Sequence, residues 1–156
     1  MSRKPEAAAG EREFVTLKIA GQLFGVPVTE INEVFQPQGA TPVPLARPEI
    51  TGVLNLRGRI VTTVCARRRL GLPPRDPAAP PPMAVGVERN GESYGVLVDS
   101  VEEVLKLPAS AYEAAPANLD PRWAAVSLGV YRLDDRLLMA LDVGRLLDLG
   151  APAAAA

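Results

Sequence analysis

The sequence predicts an all-β protein of two similar small barrels packed on one another. Three observations carry this: an internal repeat, apolar residues spaced for strands, and turn chemistry where those strands end. Residues 21–34, GQLFGVPVTEINEV, lie opposite residues 91–104, GESYGVLVDSVEEV, at an offset of 70 (91 − 21), and six of these fourteen positions are identical. Residues 52–61, GVLNLRGRIV, lie opposite residues 129–138, GVYRLDDRLL, at an offset of 77 (129 − 52). The second copy thus carries seven more residues (77 − 70) between its blocks. Each copy alone is at the size where core burial barely offsets chain entropy, so the two are expected to pack together.

In chain order, Val15, Leu17 and Ile19 alternate with Thr16 and Lys18, the period-two pattern of a half-buried strand. Ala20-Gly21 then turns the chain into a second strand from Leu23 to Val28. Pro27 cannot donate a ladder hydrogen bond, so that strand is expected at a sheet edge or bulged. The second block reads as a hairpin with Gly58 at its tip and Ile60 to Val64 returning. In copy two, Asn90-Gly91 is a type I′ signal, because both central residues need positive φ. Asp134-Asp135 takes the tip before Leu137 to Leu141. Helices are expected to be few. Asp142 can cap a helix over 143–149 that stops at Gly150. Its counterpart Cys65 caps poorly, which costs the short turn over 67–70 on the order of 1 kcal/mol.

Residues 1–13 and 150–156 lack apolar periodicity and are expected to be disordered ends, leaving a domain over 14–149. Residues 73–82, PPRDPAAPPP, read as a stiff extended connector, because proline fixes φ and cannot donate to a ladder. The expected lobes are therefore 14–72 and 83–149.

Composition excludes several chemistries. The absence of histidine removes the commonest general base and zinc ligand. No Gly-rich phosphate loop or nucleophile with a base is visible, so no enzyme, cofactor or metal site is expected. Cys65, the single cysteine, cannot form an internal disulfide. Seventeen basic and eighteen acidic residues leave a net charge of -1, so no global field recruits nucleic acid. No apolar run approaches the roughly 18 residues of a membrane span, and residues 1–13 lack an apolar signal region. A cytoplasmic protein without membrane insertion is expected.

The order of Phe24-Gly25-Val26, Ile31-Asn32-Glu33-Val34, residues 52–61 and residues 94–101 (YGVLVDSV) resembles the CheW family of chemotaxis coupling proteins, over about residues 14–149. That resemblance implies two five-stranded, SH3-like barrels around a shared core. It implies a non-catalytic adaptor that links the cytoplasmic tip of a methyl-accepting chemoreceptor to the regulatory domain of a CheA-type histidine kinase, recruited to membrane-associated arrays. By the same resemblance Glu33 and Arg57 lie near coupling surfaces, and Ile31, Val34, Gly52, Val101 and Val104 serve packing or partner contact. The receptor tip, a helical hairpin, is expected in an apolar groove between the barrels, and the repeat-related faces allow weak self-association. Residues 60–67 read IVTTVCAR where family members often read I-V-P-x-x-D-L-R, so Thr62 stands for proline and Cys65 for aspartate. These departures point to an alternative, a divergent paralogue that binds one partner in a non-flagellar pathway.

Other readings of the residues stay open at this point. Glu33 and Arg57 either pair or stand as independent surface charges. Arg67, Arg68 and Arg69 with Arg57 and Arg59 can form a phosphate-binding patch, the basis for a small β-barrel nucleic-acid binder. Against that patch stands an aromatic content of only 4%. Cys65 reads as a buried small residue before it reads as a redox sensor. Trp123 can anchor a partner or its own loop.

Overall fold

The computed structural model describes residues 11–114 and 117–148; the expected tail over 150–156, and residues 1–10 of the expected N-terminal tail, lie outside the described residues. The strands are β1 (Glu11–Ile19), β2 (Gln22–Pro27), β3 (Glu33–Phe35), β4 (Ile50–Leu56), β5 (Arg59–Cys65), β6 (Met83–Arg89), β7 (Glu92–Val98), β8 (Ser100–Pro108), β9 (Tyr112–Glu113), β10 (Ser127–Arg132) and β11 (Leu137–Leu141). The short helices are α1 (Ala66–Arg69), α2 (Pro121–Ala124) and α3 (Val143–Leu147). Residues 11–13, expected in the tail, are strand: Glu11, Arg12 and Glu13 pair with Pro108, Leu107 and Lys106.

Two sheets form, one ordered β8-β1-β2-β11-β10-β9 and the other β3-β6-β7-β5-β4. Neither respects the expected division into lobes 14–72 and 83–149. The β1–β2 hairpin of copy one joins four strands of copy two, and the β6–β7 hairpin of copy two joins three strands of copy one. Each hairpin is joined on both sides, by one parallel pair, β2 with β11 through Phe24↔Met139 or β7 with β5 from Ser93↔Val61 to Leu97↔Cys65, and by one antiparallel pair, β1 with β8 or β6 with β3. The repeat identifies equivalent strands but not which copy they pair with, which is why the connector looked like a boundary.

The exchanged hairpins explain the repeated aromatic-Gly-Val motif. Side chains alternate along a strand, so the first and third residues face one way and the glycine the other. Phe24 and Val26 enter the core between the sheets with Leu17, Ile19, Met139 and Leu141, and Val85, Val87, Val96 and Val98 meet them from the five-stranded sheet. Gly25 faces the interior of the six-stranded barrel, where Phe14, Leu23, Leu107, Tyr131, Leu138 and Ala140 pack together. A β-carbon on Gly25 would lie 2.8 Å from Leu138 Cδ2 and 3.2 Å from Phe14 Cβ. Gly95 does the same service in the other barrel, where a β-carbon would lie 3.1 Å from Phe35 Cζ.

Turn chemistry follows the sequence closely. Ala20-Gly21, Arg57-Gly58 and Asn90-Gly91 all have positive φ at both positions, as two-residue type I′ hairpins require. The β1 alternation is different from that expected. A register shift between Val15 and Leu17 leaves Phe14, Thr16, Leu17 and Ile19 buried and Val15 half-buried. Thr16 Oγ1 occupies the irregularity, donating to the Glu103 carbonyl at 2.6 Å and accepting from its N–H at 3.0 Å. Pro27 was expected at an edge or bulge, yet β2 is an internal strand. Pro27 is tolerated because it is the last residue of β2, beyond the parallel pairing with β11 at Phe24 and Gly25.

Asp142 caps α3 by accepting from Arg145 N–H at 3.1 Å, whereas Cys65 makes no side-chain cap to α1. The helix after Asp142 ends at Leu147, and residues 149–150 of the expected span lie outside the described residues. The connector is not a straight rod. It turns at residues 76–79, where Ala79 N–H donates to the Asp76 carbonyl at 2.9 Å and Ala78 N–H to the Asp76 carboxylate at 2.8 Å. Asp99 then fastens it. The carboxylate receives two bonds from Arg67 (3.0 and 2.7 Å), one from Arg75 (3.2 Å) and one from Ala20 N–H (2.8 Å). Burial pushes the Asp99 carboxyl up, but the Arg67 and Ala20 hydrogen bonds and the charges of Arg67 and Arg75 outweigh it and hold the pKa below the ordinary value.

Candidate interaction surfaces

In the five-stranded barrel, β3 pairs Glu33, Val34 and Phe35 with Gly86, Val85 and Ala84. Alternation sends Phe35 inwards and leaves Val34 exposed. Glu33 lies over Gly86, where a β-carbon would come within 3.3 Å of Glu33 Cγ. The β4–β5 turn carries two guanidiniums to this carboxylate: Arg57 donates to Oε1, and Arg59 Nη2 lies 3.6 Å from Oε2. The Asn55 side chain holds the turn by accepting from Gly58 N–H at 2.8 Å. Arg57 and Glu33 are therefore paired. Because Arg57 is mostly exposed, the pair contributes about 0–1 kcal/mol to folding, and its main effect is to fix where the charges point.

The six-stranded barrel carries a related end. Glu103 sits at the Glu33 position of the repeat and Arg136 at the Arg59 position, with Arg136 Nη2 4.0 Å from Glu103 Oε2 and its Nε 3.9 Å from Asp135. Exposed apolar residues match as well: Val34 and Ile60 at one end correspond to Val104 and Leu137 at the other. The tips differ in charge. Arg57-Gly58 in the first is replaced by Asp134-Asp135 in the second, within a wider loop closed by Leu133 N–H on the Arg136 carbonyl at 2.9 Å.

Glu33, Arg57 and Val34 thus meet at one end, and Val104 lies at the other. Ile31 and Val101, also repeat partners, are half-buried against the margin of the shared core. Gly52 packs against the chain before β4. It is buried, and a β-carbon there would lie 2.7 Å from the Thr41 carbonyl oxygen. Sequence reasoning passed over Ile60, Glu103, Arg136 and Leu137, although the offsets of 70 and 77, applied to Glu33, Arg59 and Ile60, lead to three of them directly.

Of the arginines that could form a phosphate-binding patch, Arg57 and Arg59 face Glu33 and only Arg67 of the other three meets a carboxylate. Arg67 is spent on Asp99 and the Pro73 carbonyl, Arg68 on the Pro48 carbonyl, and Arg69 on the carbonyls of Leu146 and Arg145. Trp123 anchors its own loop, its ring 5.2 Å from that of Phe24. Cys65, read as a buried small residue, is half-buried. No helix among the described residues is long and apolar enough to cross a membrane.

Residues 13–150 match the family described as "CheW-like domain". The chain is 30% identical over 141 residues to a chemotaxis protein CheW of Thermotoga maritima, covering 90% of this chain and 91% of that one. It is 28% identical over 143 residues to a chemotaxis protein CheW of Bacillus subtilis, covering 92% and 90%. In three dimensions it is similar to the crystal structure of the scaffolding protein TtCheW from Thermoanaerobacter tengcongensis, with a TM-score of 0.77, 25% identity, and coverage of 88% of this chain and 92% of that one.

Proposed function

The chain belongs to the CheW-like domain family of non-catalytic scaffold proteins, and from that premise we propose that it couples a chemoreceptor to a histidine kinase by occupying both at once. The observation that supports this reading best is the pair of repeat-related barrel ends, each with two exposed apolar side chains beside an acid–arginine contact. The Glu33–Arg57–Arg59 end takes the regulatory domain of a CheA-type kinase. Val34 and Ile60 supply desolvated apolar contact there, and the fixed guanidiniums supply orientation. The receptor's helical tip lies along the seam between the barrels, where Ile31 and Val101 edge the shared core. The opposite charges of the two tips favour head-to-tail contacts over symmetric ones, and such contacts extend into rings or arrays at the membrane-associated receptors.

Titration calorimetry of the purified protein against a kinase regulatory domain, then against a soluble receptor-tip fragment, tests this reading. Saturable binding to both is the expected result. Binding to neither by a folded protein sinks it, and binding to one only favours the divergent, single-partner reading that Thr62 and Cys65 suggested. Arg57→Glu places a second carboxylate beside Glu33, and it should weaken kinase binding by about tenfold or more while circular dichroism stays unchanged.

A further inference from the structure

At one end of the six-stranded barrel a cavity of about 350 Å3 opens between Arg12, Ala109, Tyr112, Leu128, Tyr131 and Ala140. That volume lies in the lower part of the roughly 300–1,000 Å3 range of small-molecule pockets, and barrel mouths are among their usual places. The repeat shows why the space exists. In the five-stranded barrel, Thr51 stands at the Leu128 position and Thr63 at the Ala140 position. Their hydroxyls lie 2.6 Å apart, and Thr63 Oγ1 also donates to the Gly52 carbonyl at 3.0 Å. Two threonines bond to each other across that end, whereas Leu128 and Ala140 have no polar atoms with which to close it.

The lining is ordered for a ligand of one chemistry. Tyr131 and Ala140 are buried, and they present an aromatic ring and a methyl group. The Tyr112 ring stands edge-on to that of Tyr131 at 5.4 Å, fixed by its hydroxyl donating to the Leu128 carbonyl at 2.7 Å. Arg12 brings a cation, its guanidinium carbon 5.5 Å from the centre of the Phe14 ring, and among the described residues it makes no ion pair. The carboxylate of Glu113, on the same short strand as Tyr112, is held by two bonds from Arg132, at 2.8 and 2.9 Å. We propose that this cavity binds a small organic acid, its aromatic or branched apolar body against Tyr131, Leu128 and Ala140 and its carboxylate on Arg12.

The test uses the full-length protein, benzoate as the probe and benzamide as its neutral counterpart, followed by amide chemical shifts. The expected result is saturable shifts at Leu128, Tyr131 and Ala140 with benzoate, and affinity about tenfold lower in Arg12→Ala, the loss appropriate to one charge-assisted hydrogen bond. The double variant Leu128→Thr, Ala140→Thr installs the pair found in the other barrel and should abolish the shifts. Arg12→Ala changes only an exposed side chain, so it keeps the test valid if the double variant fails to fold. Absence of saturable shifts in the folded protein overturns the proposal. So does equal binding of benzamide, or binding that Arg12→Ala leaves unchanged.

Discussion

The two barrels have the same strand plan and different ends. At one end Glu33 gathers Arg57 and Arg59 from a tight type I′ turn; at the other, Glu103 meets Arg136 at 4.0 Å from a wider loop that carries Asp134 and Asp135. At the Thr51–Thr63 position of the five-stranded barrel two hydroxyls bond to each other, while the six-stranded barrel is open beside Leu128 and Ala140. The difference teaches that duplication preserved what builds the barrel, the glycines facing inwards and the aromatics facing the shared core. The mouths differ, with the Thr51–Thr63 hydroxyl pair at one and Leu128 and Ala140 at the other.

Four outcomes sharpen or break this comparison. The largest concerns the shared core. Phe24→Ala, which empties a fully buried site, should cost about 3–5 kcal/mol in urea unfolding. Tyr94→Ala at the equivalent position should cost less, because Tyr94 is half-buried and its hydroxyl already reaches Glu92 at 2.9 Å. Equal losses would mean that the two hairpins are energetically interchangeable.

Next come the paired glycines. Gly52→Ala forces a β-carbon onto the Thr41 backbone and should cost about 1–3 kcal/mol, measured as a lower denaturant midpoint. Gly129→Ala meets the phenol of Tyr112, a side chain that can move only by giving up its bond to the Leu128 carbonyl, whereas the Thr41 backbone can move only with its strand pairing, so the Gly129 cost should be the smaller of the two. A reversed order would show that backbone accommodation, not space, decides both sites.

The Asp99 latch exists in one copy only, since its repeat counterpart is the exposed Thr29. Asp99→Asn should lower stability by about 1–2 kcal/mol at pH 7 and speed protease cleavage within residues 73–82. The folded pKa is lowered, so the stabilisation is fully present above the unfolded carboxylate value near 3.9 and is lost as pH falls through the folded value. Acid titration of stability should therefore lose a component in Asp99→Asn and none in Thr29→Ala.

The smallest effect on folding separates the barrel ends. Glu33→Gln and Glu103→Gln should each change stability by no more than about 1 kcal/mol, as exposed pairs do. In calorimetry against the kinase domain, Glu33→Gln should weaken binding more, because it releases two guanidiniums and not one. Equal effects would make the two ends equivalent as docking surfaces.

Much of the scaffold was legible along the chain. Ala20-Gly21, Arg57-Gly58 and Asn90-Gly91 are turns, Asp142 is a cap, and the repeat finds equivalent strands, because these signals act over a few residues. The α2 helix was passed over although Asp120 followed by Pro121 announces it: the Asp120 carboxylate accepts from Arg122 N–H at 2.8 Å, and Pro121 sits where a helix needs no donor. At the candidate surface, Glu33 and Arg57 were singled out by family resemblance, but their pairing, and Gly52's burial beneath Thr41, were not readable from spacing.

By itself the sequence determined two copies of a strand-and-turn plan, the repeated aromatic-Gly-Val motif, and an apolar supply large enough for a shared core. Only the tertiary structure decided that the hairpins change places, that Asp99 fastens the connector, that Glu33 collects two arginines, and that one mouth stays open. The physical reason is that periodicity, capping and turn preference are local, whereas Phe24 pairing with Met139 depends on burying both faces of a strand at once. Either copy's hairpin satisfies the local rules in either barrel, and packing between distant segments makes the choice.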